Sequence, residues 1–251
     1  MLHVGFAHAA CLSELPMVSY PDKNSYTAQD LVEIIAILRD PDRGCPWDRI
    51  QTHRSIRMNF LEEAYEAVDA IDLADPELMC EELGDVLMQV VFHAGIEADA
   101  GHFTWLQVCD GVCRKLILRH PNIFGPEAGY EGINDWDLLK NREKGRATLA
   151  QDLESVPKAL PALMRAAKLQ KRAARWPDSE MSSETIAGDA KTVASLAQTL
   201  RDAQPGSAQT EQTVGELLFA AAALARCAGV DPEQALQKQN ERFAARPPQQ
   251  P

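Results

Sequence analysis

Apolar side chains recur every three or four residues along most of the chain from Ala28 onward, which is the period of an amphipathic α-helix. The first such stretch carries Leu31, Ile34, Ile35 and Leu38. It stops at the segment 40–44, whose Pro and Gly favour a turn. The spacing therefore predicts one short amphipathic helix that ends before this turn.

Three more helices are predicted in the first half of the sequence. Their ranges are about 55–73, 75–100 and 104–119. The first of these three is expected to bury Leu61, Tyr65 and Val68, and Thr104 is expected to cap the N-terminus of the last. Four helices with short connections and no strand-like alternation predict an all-α fold built on a four-helix bundle.

Helical periodicity continues in the second half, after a boundary marked by Pro157 and Pro161. A basic helix is predicted over 158–175, where it is expected to act as a linker, and three helices return over about 185–200, 214–227 and 232–245. The chain is therefore expected to comprise a flexible extension over 1–26, a first bundle over 27–150, a basic linker helix and loop over 151–180, a second helical domain over 181–246 and a disordered tail over 247–251.

The two halves share a short motif. Residues 82–87 (ELGDVL) align with residues 213–218 (TVGELL), and a long apolar helix follows each of them. This alignment predicts an internal repeat, with Thr213 and Glu216 in the places of Glu82 and Asp85.

The chain carries a formal net charge of -12 at pH 7. This excess of negative charge repels phosphate backbones, so nucleic acid is not expected as a partner. A small anionic substrate would need a bound cation between itself and the protein. The longest apolar run after the start, 217–225, is too short to span a membrane, and the six cysteines form no C-x-x-C pair. A soluble, cytoplasmic protein with reduced thiols is therefore expected.

Acidic residues gather at helical spacing on two neighbouring helices. They are Glu62, Glu63 and Glu66 on the second predicted helix, and Glu82 and Asp85 on the third. Residues three and four apart share one helix face, so these carboxylates repel one another. A hard divalent cation relieves that repulsion, and oxygen ligands favour Mg²⁺ or Mn²⁺ over zinc. The alternative interpretation is an acidic face that only contacts water.

Four motifs in the first half carry a family resemblance. They are Cys45-Pro46-Trp47-Asp48 with Gln51-Thr52, Leu61-Glu62-Glu63-Ala64-Tyr65-Glu66, Glu82-Leu83-Gly84-Asp85, and KLILRHP over 115–121. Together they resemble the N-terminal domain of the MazG family of all-α nucleotide pyrophosphatases, whose pattern E-E-x-x-E followed by E-x-x-D is complete here. The resemblance covers about 28–175, and more weakly 210–246. It implies a MazG-like domain followed by a second, degenerate MazG-like domain.

The resemblance also implies a reaction and a set of site residues. Glu63, Glu66, Glu82 and Asp85 would be the metal ligands, and Glu62 would be an outer ligand or a base that positions water. The reaction would be Mg²⁺-dependent hydrolysis of a nucleoside triphosphate between its α- and β-phosphates, which gives the monophosphate and pyrophosphate. Homodimers are usual in the family, so a homodimer is expected.

Three further residues are candidates for binding the substrate. Lys115 and Arg119 lie four residues apart on one helix, where they could hold the β- and γ-phosphates, although an ordinary exposed basic pair has the same spacing. Trp47 could stack on the base or could instead fill a structural gap beside Pro46. His93 is expected to be a packing or capping residue, because a hard metal site does not call for imidazole.

The second half departs from the family pattern, because no E-E-x-x-E cluster precedes Thr213 and Glu216. One carboxylate cannot replace four, so this domain is expected to be catalytically silent, with a structural or dimerising role. Two rival interpretations remain for the whole chain. A di-iron carboxylate bundle needs Glu-x-x-His pairs, which the sequence lacks. A regulatory protein could bind nucleotides without hydrolysing them, and only an activity measurement separates it from an enzyme.

Overall fold

The computed structural model describes residues 20–124, 140–141, 143–176 and 190–246, and every regular element in those ranges is helical. The all-α class predicted from the sequence is therefore confirmed. Most of the extension predicted over 1–26 and the tail predicted over 247–251 lie outside the described residues.

The chain divides into two compact units, residues 1–130 and residues 131–251. The sequence prediction drew this boundary later, near residue 150, and treated 158–175 as a linker. In the structure that segment contains a helix that packs within the second unit.

The first unit is arranged around its longest helix. Its elements are α1 (Ala28–Leu38), a 3₁₀ turn (Asp48–Ile50), α2 (Arg57–Leu73), α3 (Pro76–Asp99), α4 (Trp105–Arg119) and α5 (Pro121–Phe124). Helices α1, α2 and α4 each pack against α3. The predicted cap at Thr104 is confirmed, since Thr104 precedes α4 and its backbone N–H donates to Gln107 Oε1 at 2.8 Å.

A two-residue turn reverses the chain between α2 and α3. Ala74 ends α2 in the left-handed conformation (φ 54°, ψ 36°). Asp75 then caps α3 by accepting hydrogen bonds from the backbone N–H groups of Glu77 and Leu78, at 3.0 and 3.2 Å. Helices joined by so short a connection lie side by side and antiparallel. The acidic residues of α2 are thereby placed next to those near the start of α3.

The apolar core of the first unit lies between α1, α3 and the segment before α2. Its buried residues are Ile35, Ile56, Val91 and Phe92. The guanidinium of Arg39 lies 5.1 Å from the centre of the Phe92 ring and pairs with Asp99 at 2.7 Å. The end of α1 is thereby fixed to α3.

The expected inward orientation of Tyr65 and Val68 is wrong, because these side chains are 55 % and 49 % exposed. The buried positions of α2 are instead Ala67 and Ala70. Small side chains let two helices approach closely, so α2 buries its alanines and leaves larger apolar side chains at the surface.

The second unit repeats the packing order of the first. After residue 148, the described part of this unit contains α6 (Leu149–Glu154), α7 (Ala162–Ala173), α8 (Ala190–Arg201), α9 (Ala208–Cys227) and α10 (Pro232–Ala244). Helices α7, α8 and α10 each pack against α9, just as α1, α2 and α4 pack against α3. This order supports the internal repeat predicted from residues 82–87 and 213–218.

A buried ion pair holds α6 against α7 in the second unit. Arg172 Nη1 lies 3.0 Å from Asp152 Oδ1, and both side chains are almost fully buried. Trp176 Nε1 donates to the second oxygen of Asp152 at 3.2 Å.

Among the described residues, no single helix has the length and apolar composition of a membrane span. Helices α9 and α10 have that length and composition only when taken together, and they are bent by 103° at the break between them.

Candidate metal site

Three carboxylates meet where α2 packs against α3. Glu63 and Glu66 come from α2 and Glu82 from α3, and one oxygen of each lies within 4.8 Å of the others. These three residues are called the carboxylate trio below. The spacing of the acidic residues predicted that the acidic faces of these two helices can meet, and the family resemblance named all three residues among the metal ligands.

Asp85 and Glu62 differ in their relation to the trio. Asp85 is half-buried on α3, and its negative charge raises the pKa of both Glu63 and Glu82. It therefore belongs to the same electrostatic cluster. Glu62 is exposed on α2 and is not one of the three converging side chains.

The trio is electrostatically unfavourable without a cation. Burial is the main cause that raises the pKa of Glu63, and Asp85, Glu66 and Glu82 add to it. Burial also raises the pKa of Glu82, followed by the charges of Glu66 and Asp85. Both shifts mean that the ionised forms are disfavoured by loss of water and by like charge. A divalent cation would reverse both effects.

One atom of the trio supports that interpretation directly. Glu82 Oε2 is buried and has no hydrogen-bond partner among the described residues. Buried polar atoms are nearly always paired, so an orphaned carboxylate oxygen needs an explanation. Because the donor set around it consists of carboxylate oxygens alone, a hard cation such as Mg²⁺ fits these residues.

Gln89 is a site residue that the sequence interpretation missed. Its side chain is 7 % exposed, and its Nε2 donates a long hydrogen bond of 3.5 Å to Glu63 Oε1. This contact is the one influence that lowers the pKa of Glu63. The available signal was a polar residue one helical turn after Asp85, within an otherwise apolar stretch of α3.

The predicted phosphate-binding residues lie on α4. Lys115 is half-buried and Arg119 is 8 % exposed. Among the described residues, Lys115 makes no ion pair, so the structure does not join it to the trio. The indole of Trp47 is 52 % exposed, and its backbone carbonyl accepts a hydrogen bond from Gln51 Nε2 at 2.7 Å.

The corresponding positions of the second unit hold a different arrangement. Thr213 is 3 % exposed, and its hydroxyl donates to the backbone carbonyl of Gln209 at 2.9 Å. Glu216 is exposed and accepts a hydrogen bond from Gln212 Nε2 at 2.8 Å. In the described part of this unit, no three acidic, histidine or cysteine side chains converge as the trio does.

Comparison with known proteins shows the family to which the chain belongs. Residues 51–124 match the model of the MazG nucleotide pyrophosphohydrolase domain, and this range contains the whole trio. The chain is 40 % identical over 222 residues to a protein of Thermotoga maritima named nucleoside triphosphate pyrophosphohydrolase/pyrophosphatase MazG. The alignment covers 87 % of this chain and 83 % of that protein.

Two other relatives carry a similar name. A nucleoside triphosphate pyrophosphohydrolase of Escherichia coli K12 is 39 % identical over 223 residues, which are 86 % of this chain and 84 % of that protein. Another from Mycobacterium tuberculosis is 36 % identical over 174 residues, which are 66 % of this chain and 52 % of that protein. The family resemblance inferred from the sequence motifs is confirmed, and this chain belongs to the MazG family of nucleotide pyrophosphohydrolases.

Proposed function

We propose that this chain hydrolyses nucleoside triphosphates, with either ribose or deoxyribose, between the α- and β-phosphates, with Mg²⁺ as cofactor and Mn²⁺ able to replace it. The observation that carries the proposal is the carboxylate trio with its orphaned oxygen on Glu82. The names of the Thermotoga maritima and Escherichia coli relatives support the substrate class.

Glu63, Glu66 and Glu82 would hold the cation, with Asp85 as a fourth ligand. When bound, the cation neutralises phosphate charge and lowers the pKa of the attacking water. Gln89 orients Glu63 by its hydrogen bond and favours the ionised carboxylate that a cation needs. A net charge of -12 then no longer prevents a triphosphate from approaching.

Glu62 is the candidate base. It is exposed next to Glu63 on α2, where it can accept a proton from the attacking water. The water oxygen bonds to the α-phosphorus, and the bond from that phosphorus to the bridging oxygen breaks. The products are the nucleoside monophosphate and pyrophosphate.

Lys115 and Arg119 would bind the β- and γ-phosphates and stabilise the leaving pyrophosphate. The indole of Trp47 is half exposed, so a base could stack on it. Stacking accepts every base, so this residue favours broad rather than narrow base selectivity.

The second unit is proposed to contribute assembly or stability and no chemistry, since its counterpart residues are Thr213 and Glu216. A homodimer is proposed on a separate observation. Large apolar side chains on α2 and α3, among them Tyr65, Val68 and Leu83, are about half exposed. Such a surface is typical of a face that another chain covers. A cytoplasmic location remains a prediction.

The decisive experiment incubates the purified protein with a panel of NTPs and dNTPs, with Mg²⁺, Mn²⁺ or EDTA, and separates the products by anion exchange. Monophosphate and pyrophosphate that form only with a cation would support the proposal. Diphosphate and orthophosphate as first products would show that water attacks the γ-phosphorus, which would contradict the proposal. Binding without turnover would favour the regulatory alternative.

A further inference from the structure

A second polar cluster lies on α3, beyond the carboxylate trio. It consists of His53 in the segment before α2, His93 and Glu97 on α3, and His102 just after α3. The proposed reaction uses none of these residues. The cluster uses three of the six histidines of the chain, two of them on Glu97 and the third on His53.

His53 and His93 share a hydrogen bond between their ring nitrogens. The two Nδ1 atoms lie 2.7 Å apart, the ring planes differ by 9°, and the ring centres are 5.0 Å apart. Nearly parallel rings with these distances meet edge to edge through their nitrogens. One ring must therefore donate the hydrogen and the other must accept it.

Glu97 fixes the other end of His53. Its Oε1 lies 2.6 Å from His53 Nε2, and its Oε2 lies 2.7 Å from His102 Nδ1. Because both histidines lower the pKa of Glu97, this carboxyl is ionised at neutral pH and accepts from each of them. His53 Nε2 thus always carries a hydrogen.

The number of hydrogens on the two rings defines the states of the His53–His93 pair. A neutral His53 accepts at Nδ1 from His93, and a protonated His53 donates from Nδ1 to a neutral His93. The contact survives in both states. It fails only when both rings are protonated, because two N–H groups would then face each other across 2.7 Å.

The geometry speaks against a metal at this cluster. His53 points one nitrogen at His93 and the other at Glu97, so its two partners lie on opposite sides of the ring and the three side chains do not converge on one ion. A metal would need one nitrogen of His53 together with both partners on the same side. The cluster is built to share hydrogens.

The histidine cluster and the residues near the trio lie along the same face of α3. Asp85, Gln89, His93 and Glu97 follow one another at intervals of four along one face of α3. On the α2 side, the Phe60 ring packs edge-on against His93 with the ring centres 5.7 Å apart. Glu63, which Gln89 contacts, lies one turn further along α2 from Phe60. The position of α2 along α3 is therefore set at two places, by the packing of Phe60 on His93 and by the hydrogen bond from Gln89 to Glu63.

We propose that the His53–His93 pair is a proton-dependent latch that fixes the start of α2 against α3 and so positions the α2 carboxylates opposite Glu82 and Asp85. The latch is closed while one hydrogen lies between the two Nδ1 atoms and open when there are two. Its effect on turnover rests on the proposed function, whereas its effect on α2 does not. His53 and His93 are positioning residues, since neither contacts the trio in the structure.

The surroundings place the opening on the acid side of neutrality. Burial, followed by the charge of His53, lowers the pKa of His93 below its usual value. From the neighbouring elements, Glu97 and His102 face the pair as described, and α2 presents the uncharged Phe60. Arg39, which follows α1, is paired with Asp99, and α4 begins with the uncharged Trp105.

The test compares the full-length wild-type protein with three variants at pH 7.5 and pH 5.5, by hydrogen exchange over residues 51–60, corrected for intrinsic rates, and by kcat/KM. His93→Asn retains an amide that can donate or accept, so it keeps the contact whatever the charge of His53. His93→Phe keeps the ring packing but removes the contact. The matched control, His102→Gln, touches the same Glu97 without touching the shared hydrogen.

The latch predicts that wild type and His102→Gln lose protection over 51–60 at pH 5.5, whereas His93→Asn retains it. His93→Phe should be unprotected at both pH values, and its kcat/KM at pH 7.5 should be at least about tenfold lower, since small misplacements of catalytic groups cost that much or more. Equal acid loss in wild type and His93→Asn, or normal protection in His93→Phe at pH 7.5, would overturn the latch. An absence of turnover in every protein would overturn the proposed function and leave the exchange result to decide the latch.

Discussion

Gln89 donates a hydrogen bond from Nε2 to Oε1 of Glu63 across the interface of α2 and α3, with 3.5 Å between the two atoms. The amide is buried, so little water competes with it for the carboxylate. Burial raises the pKa of Glu63, and this contact opposes that rise. Gln89 therefore holds Glu63 in one orientation and favours its ionised form.

Replacing Gln89 by Leu should raise the pKa of Glu63 further, because the only contact that lowers it is removed. The acid limb of the kcat/KM profile should move to higher pH, and activity at pH 7 should fall by about tenfold. Activity measured from pH 5 to pH 9 with saturating Mg²⁺ tests this. As a control, Gln212→Leu removes an exposed amide that donates to Glu216 in the second unit, and it should leave the profile unchanged.

The metal-free protein should become less stable as the pH rises through the titration of Glu63 and Glu82. Unfolded glutamate ionises near pH 4.3, whereas the pKa values of Glu63 and Glu82 are raised in the folded state. The folded protein then binds more protons in that window, so the free energy of unfolding falls with rising pH. Melting curves in EDTA should show this decline, and Mg²⁺ should raise the melting temperature more at pH 8 than at pH 5. The variant Glu63→Gln/Glu82→Gln should lose both effects, and an equal Mg²⁺ gain in it would contradict the assignment.

Removing a single negative charge from the proposed ligands should abolish most turnover while the fold persists. Glu63→Gln, Glu66→Gln, Glu82→Gln and Asp85→Asn each keep the shape of the side chain and lose its charge. Less repulsion within the cluster should keep the apo melting temperature equal or raise it. Steady-state rates and calorimetry of the four variants provide the measurement. Near wild-type rates in any two of these variants would contradict the proposed metal site.

Much of the first unit follows from local sequence rules. The turn at Asp75-Pro76 and the cap at Thr104 were predictable because capping chemistry depends on a few adjacent residues. That the acidic faces of α2 and α3 can meet was predictable from helical spacing, whereas the ligand roles of Glu63, Glu66 and Glu82 came from the family resemblance.

Other features depend on contacts between residues that are distant in the sequence. The helical period of the sequence gives no information about such contacts. The period shows that Tyr65 and Val68 share an apolar arc, but it does not tell whether that arc faces the core. The contacts of His93 with His53 and of Gln89 with Glu63 each join two elements whose exact offset is set only by packing.

The buried pair of Arg172 and Asp152 should matter for the second unit. Asp152→Asn leaves the guanidinium without its ionic partner in a site with little water, which costs about 3 kcal/mol of unfolding free energy. Denaturation followed by circular dichroism measures this loss. The exposed pair of Arg114 and Asp110 is the matched control, and Asp110→Asn should leave stability unchanged. Equal effects from the two variants would show that burial is not the cause.

The second unit should contribute no chemistry, and Glu216 is the residue that decides this. The first unit brings three carboxylates to one place, whereas the aligned positions of the second unit retain Glu216 alone. Here Glu216 already accepts a hydrogen bond from Gln212, and the position of Glu82 is taken by Thr213, whose hydroxyl bonds to its own helix. The described part of α8, which matches α2 in packing order, has no acidic residue. Glu216→Gln should therefore hydrolyse nucleoside triphosphates at the parental rate, with an unchanged Mg²⁺ dependence. If it instead loses activity as Asp85→Asn is expected to, the second unit holds a working site.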